Sequence, residues 1–428
     1  MKTNKIILAG FSLIILFLSQ SCETHEDGMN ALASEQHKDL YDPYYVPFEM
    51  ALAEVENLFA QGQTTRSLNQ TTRKVDNHHE FVFNKGTRAI GNDSIDVRFH
   101  IINFADNQGF ALVSADSRTT GIYAYSETGN LDIEDAIENT GFGDFMESAA
   151  KHYENEIDIS KNNTRGGSIG PLPPDPNGIT KLNMEEWNGV MYYVDHQTMI
   201  AYTYEPLLQV KWHQLSPYNY YCPEITTNSW YLDGKAATGC GPIAVAQIMS
   251  YYQYPSIVLS THFDWESIMT APSYTYFDYS NASLATAYLI HKVGESSHAV
   301  YGEQTSTYLI DDATTLFLCG YGYSGPESFS ESKVRSSIAS HYPVLMSGRQ
   351  NGNGHAWVID GYRQNKMVST YYYKTPPYNV FRVQTDMLGY YYHCNWGWTT
   401  PNTWCISTFD GWNSDKQLVY NIRPRTND

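Results

Sequence analysis

Ala236-Ala237-Thr238-Gly239-Cys240-Gly241-Pro242 runs straight into Ile243-Ala244-Val245-Ala246-Gln247-Ile248-Met249-Ser250-Tyr251-Tyr252. The second part spaces its apolar residues as a helix does, and Pro242 suits a first helical turn, where its missing N–H is no loss. The pattern predicts a helix with Cys240 at its N-terminus. There the dipole and the unpaired N–H groups favour a thiolate. Gly239 and Gly241 put no side chains beside the sulfur, so a substrate backbone can come close. The bland alternative is a small buried cysteine used only for packing, although two flanking glycines at a helix start are unusual for one.

Two stretches further on supply partners. Asn351-Gly352-Asn353-Gly354-His355-Ala356-Trp357-Val358-Ile359-Asp360-Gly361-Tyr362 reads as a glycine-rich turn and a short strand. His355, Trp357 and Ile359 share one face of that strand. Tyr392-His393-Cys394-Asn395-Trp396-Gly397-Trp398 is again strand-like. Its Asn395 can hydrogen-bond an imidazole N–H beneath a water-excluding indole, or be an ordinary edge-strand asparagine. A lone histidine on a strand is more often structural than catalytic. Taken together, the chain order Cys, His, Asn is that of papain-like hydrolases, whose partners meet in space rather than in sequence. A helical half would carry the cysteine and a sheet half the histidine and asparagine.

The cysteine count points the same way. Of six cysteines, Cys22 follows an apolar leader, which leaves Cys222, Cys240, Cys319, Cys394 and Cys405. An odd number in an exported chain leaves at least one thiol free. There is no C-x-x-C pair, so no structural zinc is expected and no cofactor is implied. The leader has Lys2 and Lys5 before the run Ile6 to Leu18, too short for a comfortable membrane span and suited to a signal peptide. Cys22, directly after Leu18-Ser19-Gln20-Ser21, resembles the lipid-acceptor cysteine of bacterial lipoproteins, although Ser19 stands where an apolar residue is usual. A plain signal peptide is the alternative. Both place the mature chain outside the cytoplasm, the first on a membrane surface.

With 428 residues and 42% hydrophobic composition, the chain can build two globular units with real cores. A formal charge of -19 with no basic patch argues against a nucleic-acid partner. Thirty-five tyrosines and nine tryptophans suit β structure and binding clefts. After a polar stretch, Pro47 opens a helical pattern over Phe48–Phe59. Strand-like runs follow at Glu80–Phe83, Ile95–Phe104, Gly109–Ser114 and Thr120–Ser126, then a helix over Ile133–Glu156. Ser160–Asn177 is a polar Gly/Pro stretch without periodicity, exposed and cuttable. The segments are therefore a signal peptide at 1–21, a tether at 22–46, a small α+β unit at 47–160, a linker at 161–178 and an enzyme-sized domain at 179–428.

The motifs around Cys240, His355 and Asn395-Trp396-Gly397-Trp398 resemble the streptopain (C10) family of cysteine peptidases. So do Lys211-Trp212-His213-Gln214 upstream and Asp410-Gly411-Trp412-Asn413 near the C-terminus. Gly109-Phe110-Ala111-Leu112-Val113-Ser114-Ala115-Asp116 resembles the family's inhibitory prodomain. The resemblance implies an α+β, papain-like catalytic domain held as a zymogen by its own prodomain, acting on protein or peptide substrates. It implies Cys240 as nucleophile, His355 as acid/base, Asn395 orienting His355, and Trp396 shielding that contact. The oxyanion would meet the Cys240 N–H and a side-chain donor. Papain-like enzymes place a Gln just before the cysteine, where this chain has Asp233-Gly234-Lys235, so Gln214 becomes the candidate. Arg165, in Thr164-Arg165-Gly166-Gly167, is a candidate processing point, with self-processing nearby as the alternative. Competing readings are a Cys-His cell-wall amidase or acyltransferase, which would not predict the inhibitory unit, and an inactive surface-binding relative.

Overall fold

The computed structural model describes residues 42, 44–62, 73–83, 96–138, 140–163, 183–350, 353–374, 377, 379–407 and 416–425. The leader, Cys22, Arg165, nearly all of the linker and residues 410–415 lie outside them. Among the described residues, no helix is long and apolar enough to cross a membrane.

The N-terminal part runs α1 (Phe48–Gly62), β1 (Val75–Phe83), β2 (Val97–Phe104), β3 (Phe110–Ser114), β4 (Ile122–Ser126), α2 (Ile133–Glu138) and α3 (Thr140–Asn163). Every expected element is present. The helix expected over Ile133–Glu156 is two, with Gly141 and Gly143, poor helix formers, in the first turn of α3. A hairpin of β5 (Asn183–Trp187) and β6 (Val190–Tyr204) follows. Next come α4 (Cys240–Tyr252), the short β7 (Ile257–Val258) and β8 (Thr261–His262), α5 (Trp265–Ile268), α6 (Asn281–Ser296) and α7 (Leu309–Leu318). The chain ends with β9 (Tyr321–Ser328), α8 (Glu331–Ala339), β10 (Val344–Gln350), β11 (Asn353–Tyr372), β12 (Val380–Asn395), β13 (Thr403–Ile406) and β14 (Gln417–Pro424).

One twelve-stranded sheet runs in the order β1-β2-β3-β4-β13-β12-β11-β10-β14-β9, with β6 on β11 and β5 on β6, while β7 and β8 pair apart from it. The pairs are antiparallel. The strand expected to be short at His355 is twenty residues long. Its far half pairs with β12 and β6, and there β12 alternates exposed with half-buried residues. In the full chain Tyr44–Asp428 pack as one compact unit. The reason is physical: β4 pairs with β13 (Trp404 opposite Tyr125, Cys405 opposite Ala124), which removes an edge from each part.

The strands of the C-terminal part alternate between two cores, as period-2 side chains must. Val344, Met346, Trp357, Ile359 and Leu418 join a core with α8 and with Phe142, Phe145, Met146 and Ala149 of α3. Leu345, Val358, Val419 and Ile422 join the other, with Ile243, Val245 and Ile248 of α4 and Leu289, Ile290 and Val293 of α6. One face is covered by the helices around Cys240. The other is covered largely by the N-terminal part.

Candidate active site

Cys240 opens α4 and keeps part of its surface open, while the next ten residues of the helix are buried. Gly239 before it has φ +92°, a conformation glycine adopts freely, and a Cβ there would lie 2.9 Å from Thr305 Cγ2. The backbone N–H groups of Ala356, on β11, and of Gly241 and Cys240 at the helix start lie near enough to the sulfur to favour its thiolate. Helix and strand thus meet one residue from His355.

His355 is 3% exposed. Alternation places it on the β11 face that carries Trp357 and Ile359, and its ring stacks over Trp357 at 6.2 Å and 10°. Its Nε2 lies 3.0 Å from the carbonyl oxygen of Trp396. The Trp396 indole, fully buried, has Phe142 at 6.4 Å and Phe145 at 6.5 Å, both from α3. The N-terminal part therefore packs on Trp396 and on the face of β11 that carries Trp357.

Burial dominates the electrostatics. It pushes the Cys240 thiol up to about 11, against the pull of the Ala356 and Gly241 N–H groups and with a further push from Asp312. It drives His355 down to about 4, partly opposed by the Trp396 carbonyl. At neutral pH the full chain therefore holds a thiol and a neutral imidazole. The helix N-terminus alone does not produce a thiolate while this region is dry.

In the full chain the Asn395 amide is taken up by backbone groups. Its Nδ2 donates to Val210 O at 3.0 Å and its Oδ1 accepts from Gly397 N at 3.3 Å. The register explains this: Asn395 lies opposite Val358, whose face is not that of His355 and Trp357. Together with Asp360, whose Oδ2 accepts Leu208 N at 2.9 Å and whose Oδ1 pairs with His393 Nδ1 at 2.6 Å, it holds the segment leading to Gln214. Gln214 is 4% exposed, and its carbonyl accepts the N–H of Thr238 at 3.0 Å. The long insertion after Gln214 thus folds back beside the loop that leads to Cys240.

Sequence reasoning missed Asp312, on α7. It is 1% exposed, and a Cβ on Gly241 would lie 2.2 Å from its Oδ2. Its only sequence signal was a polar residue where an amphipathic helix turns inward. Phe142 and Phe145 were legible as apolar helix positions but not as neighbours of Trp396.

A cysteine at a helix start against a histidine-bearing antiparallel sheet, with an N-terminal α+β unit on the sheet's far face, is the architecture of a papain-like cysteine peptidase made as a zymogen. Residues 212–402 match the model of the Peptidase C10 family and residues 49–153 that of the Spi protease inhibitor. These matches support a C10-family cysteine endopeptidase with an inhibitor-like prodomain. Streptopain of Streptococcus pyogenes is 23% identical over 331 residues, covering 68% of this chain and 69% of that one. The thiol protease/hemagglutinin PrtT of Porphyromonas gingivalis is 22% identical over 419 residues, 87% of this chain and 41% of that one. A fragment of Prevotella intermedia prointerpain A shares the fold, with a TM-score of 0.50 and 19% identity over 77% of this chain and 96% of the fragment.

Proposed function

We propose that Cys240 is the nucleophile and His355 the acid/base of this endopeptidase, silent until the linker is cut and the prodomain leaves. The observation that carries the reading is the meeting of the Cys240 sulfur with β11 at Ala356, next to His355. Loss of α3 from the far face would uncover Trp396 and admit water to His355. Hydration raises the pKa of the imidazole and lowers that of the thiol, so a thiolate–imidazolium pair replaces the neutral one. The thiolate adds to the scissile carbonyl, and the oxyanion is held by the Cys240 N–H and the Gln214 amide. His355 gives its proton to the departing amine, leaving a thioester. Water, deprotonated by His355, then releases the acid and restores the thiol. Asn395 orients His355 once the prodomain has left, and Trp396 shields that contact; in the full chain the Trp396 carbonyl holds the imidazole. Arg165 is the proposed processing point. The chain is exported and held on a membrane surface through Cys22.

Cys240→Ala in linker-cleaved protein should lower peptide hydrolysis by at least about 10⁴-fold with the unfolding curve unchanged. Hydrolysis at near wild-type rate in that variant would end the reading.

A further inference from the structure

Asp312 is the strongest unexplained group in the protein. Its carboxyl lies against the first turn of the helix that Cys240 opens, close enough that Gly241 can carry no Cβ. Its Oδ2 accepts the hydroxyl of Thr307 at 2.9 Å. Its Oδ1 is buried with no hydrogen-bond partner among the described residues. The nearby Ser297 hydroxyl is shared with Thr315 Oγ1 at 3.1 Å. A carboxylate in such a place is half satisfied, and a carboxylic acid is the better-matched species.

The groups around it offer little to neutralise a charge. From α4 comes Cys240, from the end of α6 Ser297, from the preceding loop Thr307, and on its own helix Asp311, a second negative charge. Asp311 has His298 Nδ1 at 3.8 Å, at the exposed side of α7. Burial raises the Asp312 carboxyl to about 7, with Asp311 pushing the same way and Thr307 and Ser297 pulling back. Two anions, a thiolate and a carboxylate, thus compete for the partial positive charge of one helix end.

We propose that Asp312 is a positioning residue that sets the charge on Cys240: the start of α4 holds one negative charge, and the thiolate forms while Asp312 keeps its proton. The proposal rests on Cys240 being the nucleophile. It flattens the rise of the thiolate with pH, because Asp312 ionises over the same range and each carboxylate formed raises the pKa of Cys240.

The test is the rate of iodoacetamide labelling of Cys240 in the full chain and in linker-cleaved protein, from pH 5.5 to 9, read by peptide mass mapping. Asp312→Asn should match wild type at pH 5.5 and label about tenfold faster at pH 8, one pKa unit of relief. Thr307→Val removes the donor to Oδ2, keeps Asp312 protonated to higher pH, and should move the profile in the same direction. It also decides the matter if Asp312→Asn does not fold. Asp311→Asn should not speed labelling, because Asp311 only helps Asp312 keep its proton and its loss moves the profile the other way. Folded variants at 312 and 307 whose profiles overlay wild type would overturn the proposal, as would an equal gain in labelling rate from Asp311→Asn. Cys240→Ala separates the two ideas: if it still hydrolyses peptides, the nucleophile reading fails first. If it is inactive while Asp312→Asn changes nothing, only this inference fails.

Discussion

The two faces of the central sheet look alike as cores and differ as commitments. On one, Val358, Leu345 and Val419 pack under α4 and α6, helices that follow the linker and stay with the enzyme. On the other, Trp357, Ile359 and Trp396 pack under α3, a helix that precedes the linker. The permanent face holds the cysteine. The removable face holds the surroundings of the histidine. Equal burial therefore carries unequal consequences: apolar area covered by α3 stabilises the zymogen and keeps the imidazole dry, while area covered by α4 stabilises every state.

Truncations of similar kind on the two faces should separate these roles. Phe145→Ala, at a fully buried position, should cost about 3–5 kcal/mol in denaturant unfolding of the full chain. It should also raise hydrolysis by uncleaved protein, because the indole beside His355 loses its cover. Ile248→Ala in α4 should cost about 2–4 kcal/mol and raise nothing. If Phe145→Ala leaves the uncleaved protein silent, the two faces do not differ as argued.

Acid probes the same contrast. Burial holds His213 down at about 3, and Leu215 N donates to its Nδ1 at 3.3 Å, so the folded state needs it neutral. His355 is held at about 4. Both folded values lie below the ordinary one, so unfolding takes up protons. The stability from keeping them neutral is complete above about pH 6.5 and falls as pH drops toward those values. His213→Gln should make unfolding free energy less steep by roughly 1 kcal/mol per pH unit between pH 6 and 5. An unchanged slope would show that His213 is not held neutral.

The smallest effect is expected at the polar rim of the removable face. Arg363 of β11 pairs with Glu127 at 2.9 Å, bonds Tyr125 OH at 3.0 Å, and lies 3.9 Å over the Trp404 ring. Glu127 is 42% exposed at its side chain, which screens the pair. Arg363→Met should cost about 1 kcal/mol or less, seen as earlier release of the prodomain after linker cleavage in size-exclusion chromatography. Retention equal to wild type would place the grip in the apolar core and the β4–β13 pairing.

Much of this was legible in the residues. The helix at Cys240 needed only Gly-Cys-Gly-Pro and the apolar spacing behind it, and the N-terminal strands announced themselves through alternation and turn residues. Where the Asn395 amide points in the full chain was not legible, because hydrogen-bonding capacity is written in the sequence and strand register is not. A register opposite Val358 turned its amide toward Val210. Gln214 was named without knowing how the chain returns, and the Thr238 N–H to Gln214 bond supplies that return.

By itself, the sequence determined which residues carry reactive groups and which local structures present them, because helix starts, turns and alternation depend on near neighbours. Cys240 at a helix start is such a fact. Only the tertiary structure decided what surrounds those groups: a dry imidazole on Trp396, a buried carboxyl against Gly241, and one sheet spanning both parts of the chain. The physical reason is that burial and register are set by segments far apart in sequence, and burial is what fixes the charge on a thiol, an imidazole or a carboxyl.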